Sequence, residues 1–291
     1  MLTAVYKAIA LLQLCALFLL PQYVWKPYWG AYLAWIGGER NANIYGNAIV
    51  STLVLLLQNL CYYYFYIACN PWVESFRIGK QWPWESPKEE ARAEFAETAR
   101  NGFLLTLLNV ALTIPLGYLS YGDAKRLGYS AAVETFPTAF TMVWQMMVFM
   151  LIEDALFYWG HRTLHHPSIY SYIHKVHHKF NYTVSIAATA THPVEYIVSN
   201  VLPFVAGPTL LGAHCATMYA WILFRVSETV VNHSGYNFPW TMFAILPLQG
   251  TAKDHDDHHS KQVGNFGSLF SHWDRIMGTH IPEEAPFAKD D

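Results

Sequence analysis

The chain has 291 residues, of which 53% are hydrophobic, 16% aromatic and only 13% charged. Soluble domains ordinarily carry about 25% charged residues, so this composition excludes a disordered chain and argues against a water-soluble globule. The formal net charge of −3 leaves no basic excess for a nucleic-acid partner. The 14 histidines stand against 18 lysines and arginines, and membrane proteins this rich in histidine form a narrow class.

The N-terminal apolar stretch, Ala8–Trp25, is the first predicted transmembrane segment. Pro21 and the large residues after it offer no small-residue cleavage site, so we interpret the stretch as an uncleaved anchor rather than a signal peptide. The four cysteines lie in apolar stretches without a CxxC pair. Neither a zinc knuckle nor a disulfide framework is predicted.

Further charge-free stretches follow at Asn41–Val73, Asn101–Gly122 and Thr135–Ile152, the last extended by Ala155–Trp159. A helix needs about 20 apolar residues to cross about 30 Å of hydrocarbon. We therefore predict four crossing helices.

A polar segment, Glu74–Arg100, lies between the second and third crossings. Its Ser86-Pro87 pair and the run KEEARAEFAETAR predict a polar helix on the membrane surface. The positive-inside rule places this segment in the cytosol, and two further crossings return the chain to the same side at His161. The histidine-rich region is therefore expected to face the cytosol.

The fifth apolar stretch, Tyr196–Phe224, is too long for one span and too short for two. Pro203, Gly207, Pro208 and Gly212 interrupt its middle, as a bend requires. Histidines flank the stretch on both sides, so a shared site requires it to enter and leave on one face. We predict a re-entrant helical hairpin within an all-α integral membrane fold that has about four transmembrane helices and a cytosolic, histidine-rich helical cap.

Three histidine clusters carry the candidate chemistry, at His161–His166, His174–His178 and His255–His259. Spacings of i,i+3 and i,i+4 place imidazoles on one helix face, from which ring nitrogens can converge on a metal. One such pair is weak evidence, but three HxxHH or HxxxHH groups within 99 residues are hard to attribute to chance. Eight or more candidate ligands exceed one tetrahedral zinc site, which indicates two metals.

The clusters resemble the histidine boxes of the fatty acid hydroxylase/sterol desaturase superfamily of membrane di-iron oxygenases. Neighbouring runs also match, namely Ile152-Glu-Asp154, His192-Pro193 with Glu195, Glu228-Thr, His233-Ser-Gly-Tyr236 and His272–Thr279. The resemblance covers about Leu151–Thr279 and is strongest to C-4 methylsterol oxidases. The run His233–Trp240 is equally similar to cholesterol 25-hydroxylase, so both kinds of sterol oxidation stay open.

The resemblance implies an iron pair that activates O2, with electrons arriving from NAD(P)H through cytochrome b5 or a similar carrier. The implied iron ligands are His161, His165, His174, His177, His178, His233, His255, His258 and His259, with His166 a weaker candidate. Some relatives carry a further histidine four residues before the His233 position, where this chain has Thr229. One iron is therefore expected to have a lighter or water-completed shell.

Metal-bound imidazoles usually donate their second N–H to a carboxylate or carbonyl. The candidates for such outer contacts are Asp154, His192, Glu195, Glu228, Asp254, Asp256 and Asp257. Surface solvation is the alternative for the three aspartates of the third cluster. Asp154 and Glu228 are bordered by apolar residues, where an ionisable group is seldom idle. His214, His272 and His280 are expected to be structural or surface residues.

The sequence thus predicts a monooxygenase of the endoplasmic reticulum membrane that oxidises a sterol, foremost at a C-4 methyl group. Side-chain hydroxylation of a sterol, or another hydroxylation or desaturation of a lipid, is the alternative within the superfamily. A histidine-rich metal transporter would hold its ligands near the membrane midplane, whereas these clusters lie among charged residues at the span ends. The predicted organisation is transmembrane helices with a polar connecting segment over 1–150, the oxygenase domain over 151–280 and a C-terminal tail over 281–291.

Overall fold

The structure is a computed structural model that describes residues 2–79 and 81–282. Its α-helices are α1 (Leu2–Leu20), α2 (Trp29–Ile36), α3 (Glu39–Asn41), α4 (Asn47–Ala68), α5 (Pro71–Glu74), α6 (Glu89–Arg126), α7 (Ala139–Leu164), α8 (Pro167–Tyr170), α9 (Pro193–Glu195), α10 (Leu202–Leu210), α11 (Cys215–Asn232), α12 (Ala252–Lys261) and α13 (His272–Met277). Shorter 3₁₀ turns cover Lys26–Tyr28, Pro83–Glu85, Val133–Thr135, His174–Lys179 and Ser185–Thr189, and π-helical turns cover Pro21–Trp25, Ala42–Gly46 and Tyr196–Val201.

The all-α fold predicted from the sequence is confirmed. Within the described residues, strand-like pairing is limited to two isolated bridges, Arg77–Tyr236 and Gln249–Phe270. The predicted C-terminal tail falls outside the described part of the chain from residue 283 onward. The predicted domain boundary at residue 150 lies within α7, which runs through it without a break.

Four helical segments in the described part of the chain are long and apolar enough to cross a membrane. They are Thr3–Ile36, Glu39–Ala68, Glu89–Arg126 and Ala139–Leu164. The predicted number of crossings is confirmed. Leu56 and Leu57 of α4 and Leu104 of α6 are among many large apolar side chains exposed on these helices, which is the surface that contact with lipid requires.

The prediction of a separate polar helix on the membrane surface is wrong. The sequence from Glu89 to Arg126 forms one unbroken helix, α6, so the polar run is the first part of the third membrane segment. Glu89 and Glu90 occupy its first turn, where the helix dipole favours acidic side chains. Gly102 does not end the helix, because one glycine costs a helix only about 1 kcal/mol relative to alanine.

Helix α11 is the central helix and is buried along most of its length. It packs against α4 on one side and contacts α7 on another. Trp221 of α11 stacks on Phe204 of α10 with ring centroids 5.8 Å apart, and meets Phe149 of α7 edge-on at 5.8 Å. These aromatic contacts hold α7, α10 and α11 together around one core.

Helices α10 and α11 form a helical hairpin in the segment predicted to be re-entrant. Phe204 and Trp221, which touch across the hairpin, lie at similar distances from the connection between the two helices. Gly207 allows α10 to approach α7 closely, because a Cβ there would lie 2.8 Å from the Cα of Phe149. The hairpin is present in the structure, and its re-entrant course in a membrane stays a prediction.

The histidine-bearing elements meet at one end of the helical bundle. The C-terminal ends of α7 and α11 reach this end, where α12 and the 3₁₀ turn His174–Lys179 cover them. The polar segment that precedes α6 lies at the same end, since the Tyr236 hydroxyl donates to Glu74 Oε1 at 2.6 Å. The fold therefore places the polar segment and the histidines on the same side of the bundle, as the sequence predicts.

Candidate metal centre

Nine histidines lie in two adjacent groups whose ring nitrogens face one another. The five-histidine group consists of His161, His165, His174, His178 and His258. The four-histidine group consists of His177, His233, His255 and His259. Within each group, the nitrogens that could hold a metal all lie within 4.8 Å of one another. The two groups together contain the same nine histidines that the family resemblance implies as ligands.

In the five-histidine group the Nε2 atoms are separated by little more than 3 Å. His174 Nε2 lies 3.1 Å from that of His161, 3.0 Å from that of His165 and 3.0 Å from that of His178. His258 Nε2 lies 3.2 Å from the Nε2 atoms of both His165 and His178. Except for the half-buried His165, these rings are buried.

The four-histidine group is equally compact and wholly buried. His255 Nε2 lies 2.9 Å from His233 Nε2 and 3.2 Å from His259 Nε2. His177 Nε2 lies 3.4 Å from His233 Nε2. The groups adjoin, since the rings of His178 and His259 are 4.9 Å apart between centroids.

The second and third histidine boxes each divide between the two groups, whereas His161 and His165 of the first box both lie in the five-histidine group. On α12 the pair His255 and His259, four residues apart, enters the four-histidine group, while His258 turns to the other group. The second box divides in the same way, with His177 alone in the four-histidine group. That box lies on a 3₁₀ turn rather than on the α-helix assumed in the prediction. The tighter turn still brings its first and fifth residues together.

Backbone carbonyls fix the orientation of several rings. The Nδ1–H groups of His161, His233, His258 and His259 donate to the carbonyl oxygens of Phe266, Thr229, Gly264 and Phe180 at 2.7–2.9 Å. Gly264 has φ +66°, and a Cβ there would lie 2.4 Å from the carbonyl oxygen of Thr279. Glycine is therefore needed for the turn that presents this carbonyl to His258.

One carboxylate contacts a ring of the centre among the described residues: Glu195 Oε1 lies 2.9 Å from His174 Nδ1, and both side chains are buried. Helix α9, which opens with Pro193, carries Glu195 to this position. A carboxylate on the second nitrogen of an imidazole fixes the ring and makes it a stronger ligand.

The donor set fits a metal cation. A carbonyl only accepts hydrogen bonds, so the four rings bound to carbonyls carry their proton on Nδ1 and present a lone pair at Nε2. Lone pairs held about 3 Å apart in a buried site repel one another unless a cation lies between them. Two nitrogens bound at right angles to one ion at about 2.1 Å are separated by about 3 Å, which is the spacing observed in both groups.

Burial keeps these rings neutral. It lowers the pKa of His165 to about 3 and lowers the pKa values of His177, His255 and His258 well below the ordinary value of 6.5. Neighbouring imidazoles add to the effect, because protonated rings would repel one another. The neutral imidazole is the form that binds metals.

The other proposed outer contacts make their hydrogen bonds elsewhere. Asp154 accepts from the Phe270 amide at 3.0 Å, and Asp256 accepts from the Thr183 hydroxyl at 2.7 Å. Asp257 pairs with Lys253 and Lys261, at 3.1 and 3.3 Å. These three carboxylates therefore support the chain around the centre rather than the rings themselves.

Asp254 and His192 act as helix caps. Asp254 forms a capping box with Thr251 at the start of α12, the helix that carries the third histidine box. His192 Nδ1 accepts from the Val194 amide at 3.2 Å and starts α9. Both residues position elements that carry groups of the centre.

His166, the weaker ligand candidate, and the histidines expected to be structural lie outside both groups. His166 and His214 cap helices α8 and α11. The first residue of α13 is His272, whose Nδ1 lies 3.6 Å from Asp154. Helix α13 ends before His280, which lies beyond the centre in the chain.

An apolar cavity of about 450 Å³ runs beside the histidine groups. It follows α11 from Met218 to Thr229, a length of about 16 Å at 1.5 Å per residue. A second, much smaller chamber of about 30 Å³ is lined by rings of both groups, including His161, His174 and His233. The two spaces share the wall residues Ala188, Asn200, Arg225 and Thr229.

A buried ion cluster on α7 and α11 lies at this shared wall. Arg225 donates to Glu153 Oε1 at 2.8 Å and also pairs with Glu228. Its guanidinium further donates to the hydroxyls of Thr229 and Ser268, at 2.6 and 2.9 Å. The sequence reasoning included Glu228 but missed Arg225 and Glu153. The signal was available, because both are charged residues within apolar stretches.

Comparison with known proteins identifies the family. Residues 146–279 match the fatty acid hydroxylase family. C-4 methylsterol oxidase erg25 of Schizosaccharomyces pombe is 31% identical over 259 residues, covering 86% of this chain and 81% of the relative. Methylsterol monooxygenase erg25B of Aspergillus fumigatus is 31% identical over 264 residues, covering 88% and 84%.

Rice relatives share a shorter but more similar region. Very-long-chain aldehyde decarbonylase GL1-8 of Oryza sativa subsp. japonica is 39% identical over 178 residues, which is 60% of this chain and 66% of the relative. No solved structure matches the chain. The chain belongs to the fatty acid hydroxylase family, a family of membrane oxidoreductases, and the membership inferred from the histidine boxes is confirmed.

Proposed function

We propose that this chain is a membrane-bound, non-haem di-iron monooxygenase that oxidises the C-4 methyl group of 4-methyl or 4,4-dimethylsterols. The observation that carries the proposal is the placement of two groups of imidazoles beside a long apolar cavity. Cavities of 300–1,000 Å³ commonly accommodate small-molecule ligands, and this one has the elongated shape of a lipid. The Schizosaccharomyces pombe and Aspergillus fumigatus relatives, each aligned over most of the chain, are named as a C-4 methylsterol oxidase and a methylsterol monooxygenase.

The chemistry requires a redox-active metal. No side chain abstracts a proton from an unactivated methyl C–H bond, so the cofactor must supply the reactivity while the protein positions the substrate. When bound, an iron pair would activate O2 for insertion into such a bond. One turnover consumes O2 and NAD(P)H with one proton, and yields a hydroxymethyl group, water and NAD(P)+. Zinc would fit the same nitrogens but is redox-inert.

The protein's own contribution is to bind and orient. Nine Nε2 atoms would hold the two ions, five in one group and four in the other. Backbone carbonyls hold the Nδ1 protons of four rings, so these rings keep the tautomer that presents a lone pair to the metal, and Glu195 lies against Nδ1 of His174. The cavity excludes water and aligns the apolar substrate with the small chamber.

The proposal includes partners and a location. Electrons are expected from NAD(P)H through cytochrome b5 or a similar carrier, and the membrane is that of the endoplasmic reticulum. The histidines and the Arg- and Lys-bearing polar segment lie at the same end of the bundle, so the positive-inside rule favours a cytosolic centre. Two sequons beside the centre, at Asn181 and Asn232, test this orientation: a glycan on either would place the site in the lumen.

The test is product analysis with purified, iron-loaded protein. Given NAD(P)H, cytochrome b5 and its reductase, the protein should convert a 4,4-dimethylsterol to 4-hydroxymethyl and then 4-carboxy products, detected by mass spectrometry. Cholesterol, which lacks C-4 methyl groups, should remain unchanged. Formation of 25-hydroxycholesterol without C-4 oxidation would instead establish the side-chain hydroxylase alternative.

A second candidate function follows from the rice relatives, which are the more similar over the region they share with this chain. Under this hypothesis the substrate is a long-chain aldehyde, whose apolar chain would contact the apolar lining of the cavity. Incubating the same reconstituted protein with a C26 aldehyde and measuring the alkane product separates the two candidates. The greater coverage of the methylsterol relatives, 86–88% of the chain against 60%, favours the sterol.

The metal-transporter alternative receives no support from the geometry. A transporter binds its ion reversibly near the membrane midplane, in a site that opens to either side. Here the rings lie at one end of the bundle and are locked by buried hydrogen bonds to backbone carbonyls. Rings fixed in this way favour permanent binding of a metal over its release, which a transporter requires.

A further inference from the structure

The apolar cavity ends at the buried carboxylate of Glu153. Its ion pair with Arg225 uses only one of the two carboxylate oxygens. Arg225 engages Oε1 of Glu153, whereas Oε2 of Glu153 has no hydrogen-bond partner within the described residues. Glu153 is 2% exposed and lines the cavity. A buried carboxylate oxygen without a donor is costly, so this position calls for a ligand that brings an O–H or N–H group.

The location of Glu153 gives that ligand an orientation. Arg225 lines both the cavity and the small chamber enclosed by the histidine rings. Thr229, whose hydroxyl accepts from Arg225, offers its carbonyl to His233 of the four-histidine group. Two hydrogen bonds through one residue thus connect the Arg225–Glu153 pair to the metal centre. A substrate hydroxyl bound to Glu153 would lie next to Arg225, which lines the small chamber.

We propose that Glu153, held by Arg225, accepts a hydrogen bond from the 3-hydroxyl of the sterol and so brings the A ring toward the histidines. The inference rests on the proposed function. In every sterol, carbon 4 is bonded to the carbon that carries the 3-hydroxyl. A group that binds this hydroxyl beside the histidine chamber therefore presents the C-4 methyl groups to the metals and keeps the sterol tail away from them.

The opposite end of the cavity is polar but uncharged. Asn43, Asn47, Ser120 and Tyr129 line it, and Asn47 Oδ1 also has no partner among the described residues. A sterol bound in the reverse direction would place its hydroxyl there and its tail at the histidines. Hydrogen bonds to an ionised group are roughly twice as strong as those between neutral groups, which favours the Glu153 end.

The experiment compares two ligands that differ in one hydrogen-bond donor. A 4,4-dimethylsterol with a 3-hydroxyl can donate to Glu153, whereas its 3-keto counterpart can only accept. Equilibrium binding of both is measured by displacement of a radiolabelled sterol from the full-length protein in nanodiscs, without turnover. The hydroxyl form should bind about 10- to 100-fold more tightly, as expected for a hydrogen bond to a charged group.

Two variants locate the hydroxyl. Glu153→Gln keeps the side chain's shape but adds an amide donor, so it should bring the hydroxyl-to-ketone ratio close to one by binding the ketone better. Asn47→Leu, at the far end, should keep the wild-type ratio whatever its effect on turnover. If Asn47→Leu removes the preference and Glu153→Gln keeps it, the sterol binds in the opposite direction and the inference is wrong.

If a variant does not fold, binding of the two sterols to the wild-type protein alone still tests the role of Glu153. Equal binding of the two sterols would overturn the role of Glu153 and leave the proposed sterol oxidation intact. If the protein bound neither sterol, the proposed function itself would fail.

Discussion

The two histidine groups differ in how they would hold a metal. The five-histidine group has one more ring, a half-buried member in His165 and a carboxylate, Glu195, behind His174. The four-histidine group is wholly buried and has one ring fewer. We infer that the first ion would be retained by ligand number and charge, while the second would keep more of its coordination shell free for chemistry.

The largest effect is expected from removing a buried ligand ring that a backbone carbonyl holds in place. His258→Ala should abolish sterol oxidation and lower the bound iron, because it removes a ligand held by the Gly264 carbonyl. His280→Ala, outside both groups, is the matched control and should keep most of the activity. Equal losses of activity in the two variants would contradict the division of the histidines into metal ligands and structural residues.

One substitution in each histidine group tests whether the two groups hold iron with different strength. His255→Ala leaves three rings in the four-histidine group, and His165→Ala leaves four in the other. We expect the first variant to lose one iron per chain and all activity, and the second to retain its iron with a weaker affinity, because four rings remain in its group. Iron titration of both purified variants gives the answer, and the reverse order would break the proposed asymmetry.

The carboxylate of the five-histidine group is tested by a change of one atom. Glu195→Gln should lower activity or iron affinity about 10- to 100-fold, the usual cost of removing an outer contact to a metal-bound histidine. Asp257→Asn is a matched acid-to-amide change beside the centre, and it removes partly exposed ion pairs rather than a ring contact. Its activity should stay within about threefold of wild type. A similar loss of activity in both variants would show that Glu195 has no special role in orienting His174.

The smallest effect concerns the metal-free protein. Burial lowers the pKa values of His177, His255 and His258 below those of the unfolded chain. Below about pH 6.5 the unfolded chain takes up protons that the folded state does not, so stability falls as pH falls. After chelation, the melting temperature should drop by several degrees between pH 8 and pH 5.5. The iron-loaded protein should melt at a higher temperature than the metal-free protein at pH 8, and equal melting temperatures would contradict bound metal at these rings.

The ligand side chains were predictable from the sequence because three repeated spacings and a family resemblance mark them. The four membrane segments were predictable because charge-free length is sufficient evidence for a crossing. The surface helix was mispredicted because a change from polar to apolar residues does not end a helix. In α6 the backbone continues through that change from Glu89 to Arg126.

The supports of the rings could not be predicted in the same way. Sequence reasoning expected carboxylates behind the imidazoles, but four rings use the backbone carbonyls of Phe180, Thr229, Gly264 and Phe266. Every residue has a carbonyl, so no residue type signals this role. Only the fold decides which carbonyl meets which ring. The same holds for the cavity, whose walls come from helices distant in the sequence.

The central claim is that one chain holds two irons in unequal nitrogen environments, and iron quantification combined with Mössbauer spectroscopy tests it directly. Protein loaded with ⁵⁷Fe should contain two irons per chain and give two distinct quadrupole doublets of equal area, one for each group. The doublet lost in His255→Ala should differ from the one perturbed in His165→Ala. A single iron per chain, or one doublet altered by both substitutions, would contradict the account.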